Sequence, residues 1–238
     1  MAFVRTKKIK GKEYRYLVES YRDERGKVRQ RTIKYLGAAN QNEKKGTSMV
    51  TAQLRNITFE EYLSYDDGTN KRYELVDGKL VEMPPASFLH SDIIDFIADC
   101  FKAIAREYNL DIKVKTGDVG VRTGMNSSRI PDISVIDGRA WKSYQRDKSA
   151  VIEDGLLLAV EVVSPGAEQI ERDYTDKAIE YQNTGIPEYW IVDPTEQKIT
   201  VLMLKDGSYT KTVFTESEAI ASPTFPKLKL TATEILEA

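Results

Sequence analysis

The stretch LLLAVEVVSPG, Leu156 to Gly166, is an apolar run broken by one carboxylate, Glu161. Leu156-Leu157-Leu158-Ala159-Val160, resumed by Val162-Val163, is short, β-branched toward its end and closed by Ser164-Pro165-Gly166. That is the pattern of a buried central strand rather than a helix. An ionised carboxylate buried alone is costly, so Glu161 in such a strand needs a cation, a set of donors or a raised pKa. The alternative is that Glu161 lies at the exposed end of the strand, where the chain emerges into a loop.

Outward from this strand, Ser164-Pro165-Gly166 leads into a helix near Gln169 to Asn183, ended by Gly185 and Pro187. EYWIVDP and KITVLML then read as strands, and a helix crossing between LLLAVEVV and EYWIVDP fits a right-handed parallel connection. On the amino-terminal side, DIKVKTGDVGVRT and PDISVID read as strands. Ser87 to Tyr108 reads as a long helix with Leu89, Ile93, Ile94, Ile97, Phe101 and Ile104 on one side. RYELVDGKLVEM reads as a hairpin around Asp77-Gly78, and TFEEYLSY as a short amphipathic helix capped by Thr58. The class is α/β or α+β, a mixed central sheet flanked by helices.

The chain has 238 residues, 41% hydrophobic and 30% charged, enough for one sizeable domain with an appendage. Its single cysteine, Cys100, excludes an internal disulfide and a cysteine-cluster zinc site, and its setting in DFIADCFKAIA marks a small core residue. No apolar run approaches the roughly 18 residues of a membrane span, and MAFVRTKKIKGK lacks the apolar region of a signal peptide, so a cytoplasmic protein with no membrane contact is expected. Charge is distributed unevenly. Residues 1–48 hold 14 Lys/Arg against 5 Asp/Glu, while the remainder holds 21 against 32. That asymmetry marks two modules, a basic one over residues 1–46 and a body over 47–238, and a basic appendage commonly meets a polyanion. Within the basic module EYRYLVESY and KVRQRTIKYLG alternate as strands about DERG, which predicts a β-hairpin turning near Asp23 to Lys27. AANQNEKKGTS follows as a linker.

A second acid shares the setting of Glu161. Asp132 stands at the start of ISVID, and if that strand neighbours LLLAVEVV the two carboxylates converge. Such a pair is a poor isolated one, because like charges repel, but a good seat for a hard divalent cation such as Mg²⁺.

Pro131-Asp132 followed by Glu161-Val162-Val163 resembles the PD-(D/E)xK nuclease signature, and most closely its Uma-two branch of restriction endonuclease-like bacterial proteins. YELVDGKLVEM, His90 in the next helix, RIPDISVID, LLLAVEVVSP and RDYTDKAIEYQNTGIPEYWIVDP stand in the branch's order and spacing over about residues 57–205. The superfamily's lysine, two residues after the glutamate, is replaced here by Val163. The Uma-two pattern carries it on the following helix, where Lys177 matches. Asp173, Lys177 and Tyr181 line one helical face, and by spacing alone Asp173–Lys177 is a surface ion pair worth about 0.3–0.5 kcal/mol. Similarly, a lone histidine on an amphipathic helix is ordinarily a surface or satisfied core group, and Glu74 a plain strand acid. The resemblance instead implies catalytic parts for Asp132, Glu161 and Lys177, supporting parts for Glu74 and His90, and a weaker one for Glu82. It also implies Mg²⁺ or Mn²⁺ held by Asp132, Glu161 and the backbone carbonyl of Val162 against a scissile phosphate.

KGKEYRYLVESYRDERGKVRQRTIKYLG is similar to an amino-terminal segment of some insertion-sequence transposases. Together these readings predict a metal-dependent DNA endonuclease with Arg15, Arg29, Arg31 and Lys34 as candidate phosphate contacts. A homodimer would allow a two-strand cut. The competing expectation is a catalytically weak nucleic-acid-binding adaptor of a mobile element. A metabolic hydrolase is disfavoured, since neither a phosphate-cradling glycine loop nor a nucleophile elbow is present.

Overall fold

A computed structural model describes residues 2–9, 12–22, 28–38, 56–144 and 149–238; within the first three stretches the side chains described are those of Arg5 and Val18. The chain divides into two units, Met1–Leu54 and Arg55–Ala238. In the first, β1 (Ala2–Ile9), β2 (Lys12–Arg22) and β3 (Val28–Ala38) form an antiparallel sheet with β2 in the middle and Val18 buried. The expected hairpin is the β2–β3 pair, with Tyr21 opposite Arg29 and Glu19 opposite Arg31. The strand β1 pairs along the other edge of β2. The turn at Asp23 to Lys27 and the linker after Ala38 lie outside the described residues, as do the side chains of Arg15, Arg29, Arg31 and Lys34.

The larger unit opens with α1 (Phe59–Leu63), whose N-cap Thr58 and Glu61 form a reciprocal capping box. Strands β4 (Tyr73–Val76) and β5 (Lys79–Glu82) follow, joined at Asp77 and Gly78 with φ of 47° and 76°, the left-handed pair that a two-residue hairpin requires. Helix α2 (Phe88–Glu107) is capped by Ser87 and buries Ile93, Ile97 and Phe101; Leu89, placed on the apolar side by periodicity, is exposed, and Cys100 is only half-buried. DIKVKTGDVGVRT divides at Gly117, φ 57°, into β6 (Ile112–Thr116) and β7 (Gly120–Gly124), which enter different sheets. Next come β8 (Ser127–Arg129), β9 (Ile133–Asp137), α3 (Gly138–Tyr144), β10 (Val151–Ile152) and β11 (Leu156–Val162). The crossover from β11 is α4 (Ala167–Glu171), a π-helical turn (Arg172–Asp176) and α5 (Lys177–Thr184), closed by Gly185 at φ 82°. Strands β12 (Glu188–Asp193), β13 (Lys198–Lys205) and β14 (Ser208–Thr215) and the helix α6 (Ala232–Leu236) complete the chain.

The central sheet has the order β14-β13-β12-β11-β9-β6 and is mixed: β11 runs parallel to β12 and antiparallel to β9. A second, five-stranded sheet, β10-β7-β8-β4-β5, joins the expected β4–β5 hairpin and the latter half of DIKVKTGDVGVRT to β8 and β10, strands of three and two residues too short to show a pattern. Strand β11 is buried on both faces, which explains its nearly unbroken apolar run. With a period of two, Leu158, Val160 and Val162 enter the core beneath α2 and α6, where Phe101 meets Trp190 edge to face at 5.4 Å. Ala159 and Val163 enter the opposite core with Tyr181, Tyr189 and Ile191. Glu161 shares that second face, under the crossover helix.

Candidate active site

Val160 pairs with Ile133 across the β9–β11 ladder, so Asp132, one residue before Ile133, falls opposite the Glu161–Val162 step. Its carboxylate accepts the Val162 amide at Oδ2, 2.8 Å, and the same oxygen lies 3.2 Å from Nε2 of His90 near the start of α2. Glu161 is 2% exposed, which settles the question its sequence setting raises. Its Oε1 accepts the Tyr181 hydroxyl at 2.9 Å and lies 2.8 Å from Nζ of Lys177. Both helical partners come from α5, one turn apart, so the i, i+4 spacing does aim Lys177 and Tyr181 at the same strand.

The Asp173–Lys177 pair is not a surface pair. Asp173 is fully buried, Lys177 is 3% exposed, and the ammonium sits 2.8 Å from Glu161, 3.4 Å from Glu74 and 3.7 Å from Asp173. Glu74 comes from β4 and thus from the second sheet. It accepts the Ile130 amide at 3.0 Å and one N–H of Arg129 at 3.0 Å. Arg129, itself 3% exposed, forks onto Glu180 with its remaining nitrogens. Arg172 forks onto Asp173 through Nε at 2.7 Å and Nη2 at 2.8 Å.

Three titrations follow from this network. Burial pushes Glu161 up to about 8; Lys177 opposes that rise, and the charges of Asp132, Asp173 and Glu74 reinforce it. Burial alone would also raise Glu74, but Lys177, Arg129 and the Ile130 amide outweigh it and hold the group below its ordinary value. Burial works against the charge of Lys177, yet Glu161, Glu74 and Asp173 hold the ammonium protonated above its ordinary range. With two further carboxylates at hand, Lys177 keeps its charge even when Glu161 carries a proton.

Asp132, Glu161, Lys177, Glu74 and His90 line one cleft of about 290 Å³, together with Arg172 and Arg72. Glu82 lines its mouth, paired with Lys71 at 2.7 Å. Among the described residues no three His, Cys, Asp or Glu side chains form a metal cluster. Two carboxylates beside a main-chain carbonyl are nonetheless a donor set that fits Mg²⁺, which retains waters and is commonly bound by one or two carboxylates plus substrate phosphate oxygens. The protein donors engage Asp132 Oδ2 and Glu161 Oε1, leaving the second oxygen of each for a cation. Val162, whose carbonyl is the third candidate ligand, is tied to Asp132 through its amide. Arg129, Arg172 and Glu180 were not anticipated. Arg172 and Asp173 are adjacent in sequence and offer no spacing signal, and Glu180 is joined to the cluster only through the tertiary position of Arg129.

Residues 59–233 match the Uma2 family, described as "Putative restriction endonuclease". Residues 3–58 match the amino-terminal domain of IS1634 family transposases. A crystal structure described as a "putative nuclease belonging to DUF820" from Anabaena variabilis ATCC 29413 has the same fold, with a TM-score of 0.63 at 21% identity, covering 76% of this chain and 98% of that one. No curated protein matches the chain. With its matched segment spanning most of the sequence and both central-sheet acids inside it, the chain belongs to the Uma2 family.

Proposed function

We propose that the larger unit is a divalent-metal-dependent DNA endonuclease of the cytoplasm, acting as a homodimer where both strands are cut. The observation that carries this reading is the convergence of Asp132 and Glu161 across one ladder, with Lys177 2.8 Å from Glu161 in the same cleft. A Mg²⁺ or Mn²⁺ ion held by Asp132, Glu161 and the Val162 carbonyl would polarise a phosphoryl oxygen and lower the pKa of a bound water. The protein's own part is orientation. The Val162 amide and His90 fix Asp132, while Tyr181 and Lys177 fix Glu161. Arg172, 32% exposed and held in plane by the buried Asp173, presents its remaining N–H groups to the cleft as a phosphate contact. Cleavage of plasmid and branched DNA, assayed with Mg²⁺, Mn²⁺ and Ca²⁺, tests the proposal; no cleavage of either by purified protein with any of the three ions would overturn it.

A nucleic-acid-binding adaptor is the second reading, favoured by one feature: Lys177 already compensates Glu161 without any metal. If Glu161→Gln changes DNA binding and the parent shows no cleavage, the adaptor stands.

The amino-terminal unit is proposed to add sequence-independent phosphate affinity. Removing residues 1–54 should weaken DNA binding across sequences and flatten the plot of log affinity against log salt, by about three to four units if Arg15, Arg29, Arg31 and Lys34 each release a counterion. Cleavage at saturating DNA should survive. An unchanged slope would make the unit a protein-binding one.

A further inference from the structure

Beside the catalytic cleft lies a second hollow of about 240 Å³, lined by Tyr62, Tyr65, Tyr73, Lys71 and Arg72. Arg72 and Ile130 line both, so the hollow continues the cleft. Its rings are held in place. The Tyr62 hydroxyl donates to the Tyr73 carbonyl oxygen at 2.8 Å, the Tyr73 hydroxyl donates to Asp67 at 2.7 Å, and Tyr65 packs on Tyr73 edge to face at 5.7 Å. Carboxylates nearby are already engaged: Glu82 with Lys71, Asp118 with Lys115 at 3.1 Å, and Asp67 with Tyr73. Arg72 pairs with no carboxylate among the described residues and is braced on the Gly117 carbonyl oxygen.

Resting on the nuclease reading, we propose that this hollow is a subsite for an unpaired nucleotide flanking the scissile phosphate, with the base stacked on Tyr65 and the connecting phosphate on Arg72. Aromatic rings beside a cation are the recurring means of holding single strands, because every base has a π face while a phosphate follows each one. A base within a duplex is stacked on both sides and reaches such a ring only by leaving the stack. The preferred substrate is therefore single-stranded DNA, or a duplex with a frayed or unpaired end, rather than continuous duplex.

Anisotropy titrations of the full chain in EDTA, with a labelled oligothymidine and with a duplex of the same length, test this. Tyr65→Ala should weaken oligothymidine binding roughly five- to hundredfold and leave duplex binding within about twofold, while Tyr65→Phe binds both as the parent does. The amino-terminal unit is present in every variant and cancels in the comparison. In Mg²⁺ the same substitution should raise KM for the single strand and spare kcat. Equal affinity of parent and Tyr65→Ala for oligothymidine, or equal losses on both DNAs, would overturn the subsite while leaving the nuclease reading in place. Failure of the parent to bind or cleave either DNA would remove both.

Discussion

If the proposed metal site operates, Glu161→Gln and Asp132→Asn should each lower Mg²⁺-dependent cleavage by about a thousandfold or more, since each would remove a charged oxygen ligand and several kcal/mol of barrier would rest on the cation. Both variants should remain folded. Glutamine keeps an acceptor for Tyr181, and asparagine one for the Val162 amide. Cleavage at the parental rate by either purified variant would refute the assignment. A pH signature goes with it. Glu161 is shifted up from 4.5 to about 8 by burial and neighbouring carboxylates, against Lys177, so across that window the folded chain holds more protons than the unfolded one. Its contribution to stability is therefore complete below about 4.5 and is lost as pH rises through about 8. Glu74 is shifted the other way, and its loss falls below its ordinary 4.5, outside this window. The Tm of the metal-free protein should accordingly decline between pH 5 and 8.5, Glu161→Gln should flatten that decline, and Mg²⁺ should oppose it by binding the ionised carboxylate. An equal decline in parent and variant would place the titration elsewhere.

LLLAVEVV was legible as a central strand, but whether its acid was buried or stood at an exposed strand end was decided only by the fold, which leaves Glu161 2% exposed. EYWIVD carries another such acid, Glu188, fully buried, whose oxygens take the Trp190 indole N–H at 2.7 Å and the Thr224 amide at 2.9 Å. Neutral donors satisfy Glu188, whereas Glu161 is met by an ammonium, and nothing in the local pattern of either strand separates the two cases. The separation came from Asp132 on a second strand and from the family resemblance that marked Lys177, since spacing alone made Asp173–Lys177 a surface pair. Caps and turns were readable because Thr58, Ser87, Asp77-Gly78 and Gly185 act locally. Beyond its β4–β5 hairpin the second sheet was not, since it is assembled by pairings between segments distant in sequence, such as Leu75 with Ser128. The π-helical turn was equally hidden. It places Asp173 beneath the hydroxyl of Tyr189, which donates to the Asp173 carbonyl oxygen at 2.8 Å, and turned an expected surface pair into part of a buried network.

That network makes Lys177→Met the substitution with the largest expected effect on stability. Methionine fills nearly the same volume, so the change isolates the charge. Without the ammonium, Glu74 retains Arg129 and Asp173 retains Arg172, but Glu161 retains only a tyrosine hydroxyl. Above about pH 8, where Glu161 is ionised, breaking a buried pair on one side costs about 3–5 kcal/mol, which for a unit of this size lowers Tm by roughly 6–20 °C. Asp173→Asn should cost less, because Lys177 keeps Glu161 and Glu74 and the partly exposed Arg172 can turn to water. The variant's deficit should shrink as pH falls, since the stranded carboxylate then takes up a proton, and Lys177→Met combined with Glu161→Gln should recover most of the lost Tm, because removing both members of a buried pair is close to neutral. Cleavage separates the two parts Lys177 can play. Assayed well below its Tm, Lys177→Met should still lose far more activity than Asp173→Asn if the ammonium serves the phosphate as well as the fold. Comparable modest losses in the two variants would confine Lys177 to holding Glu161 and leave Arg172 as the cation of the cleft. A Tm unchanged by Lys177→Met would contradict the buried network itself.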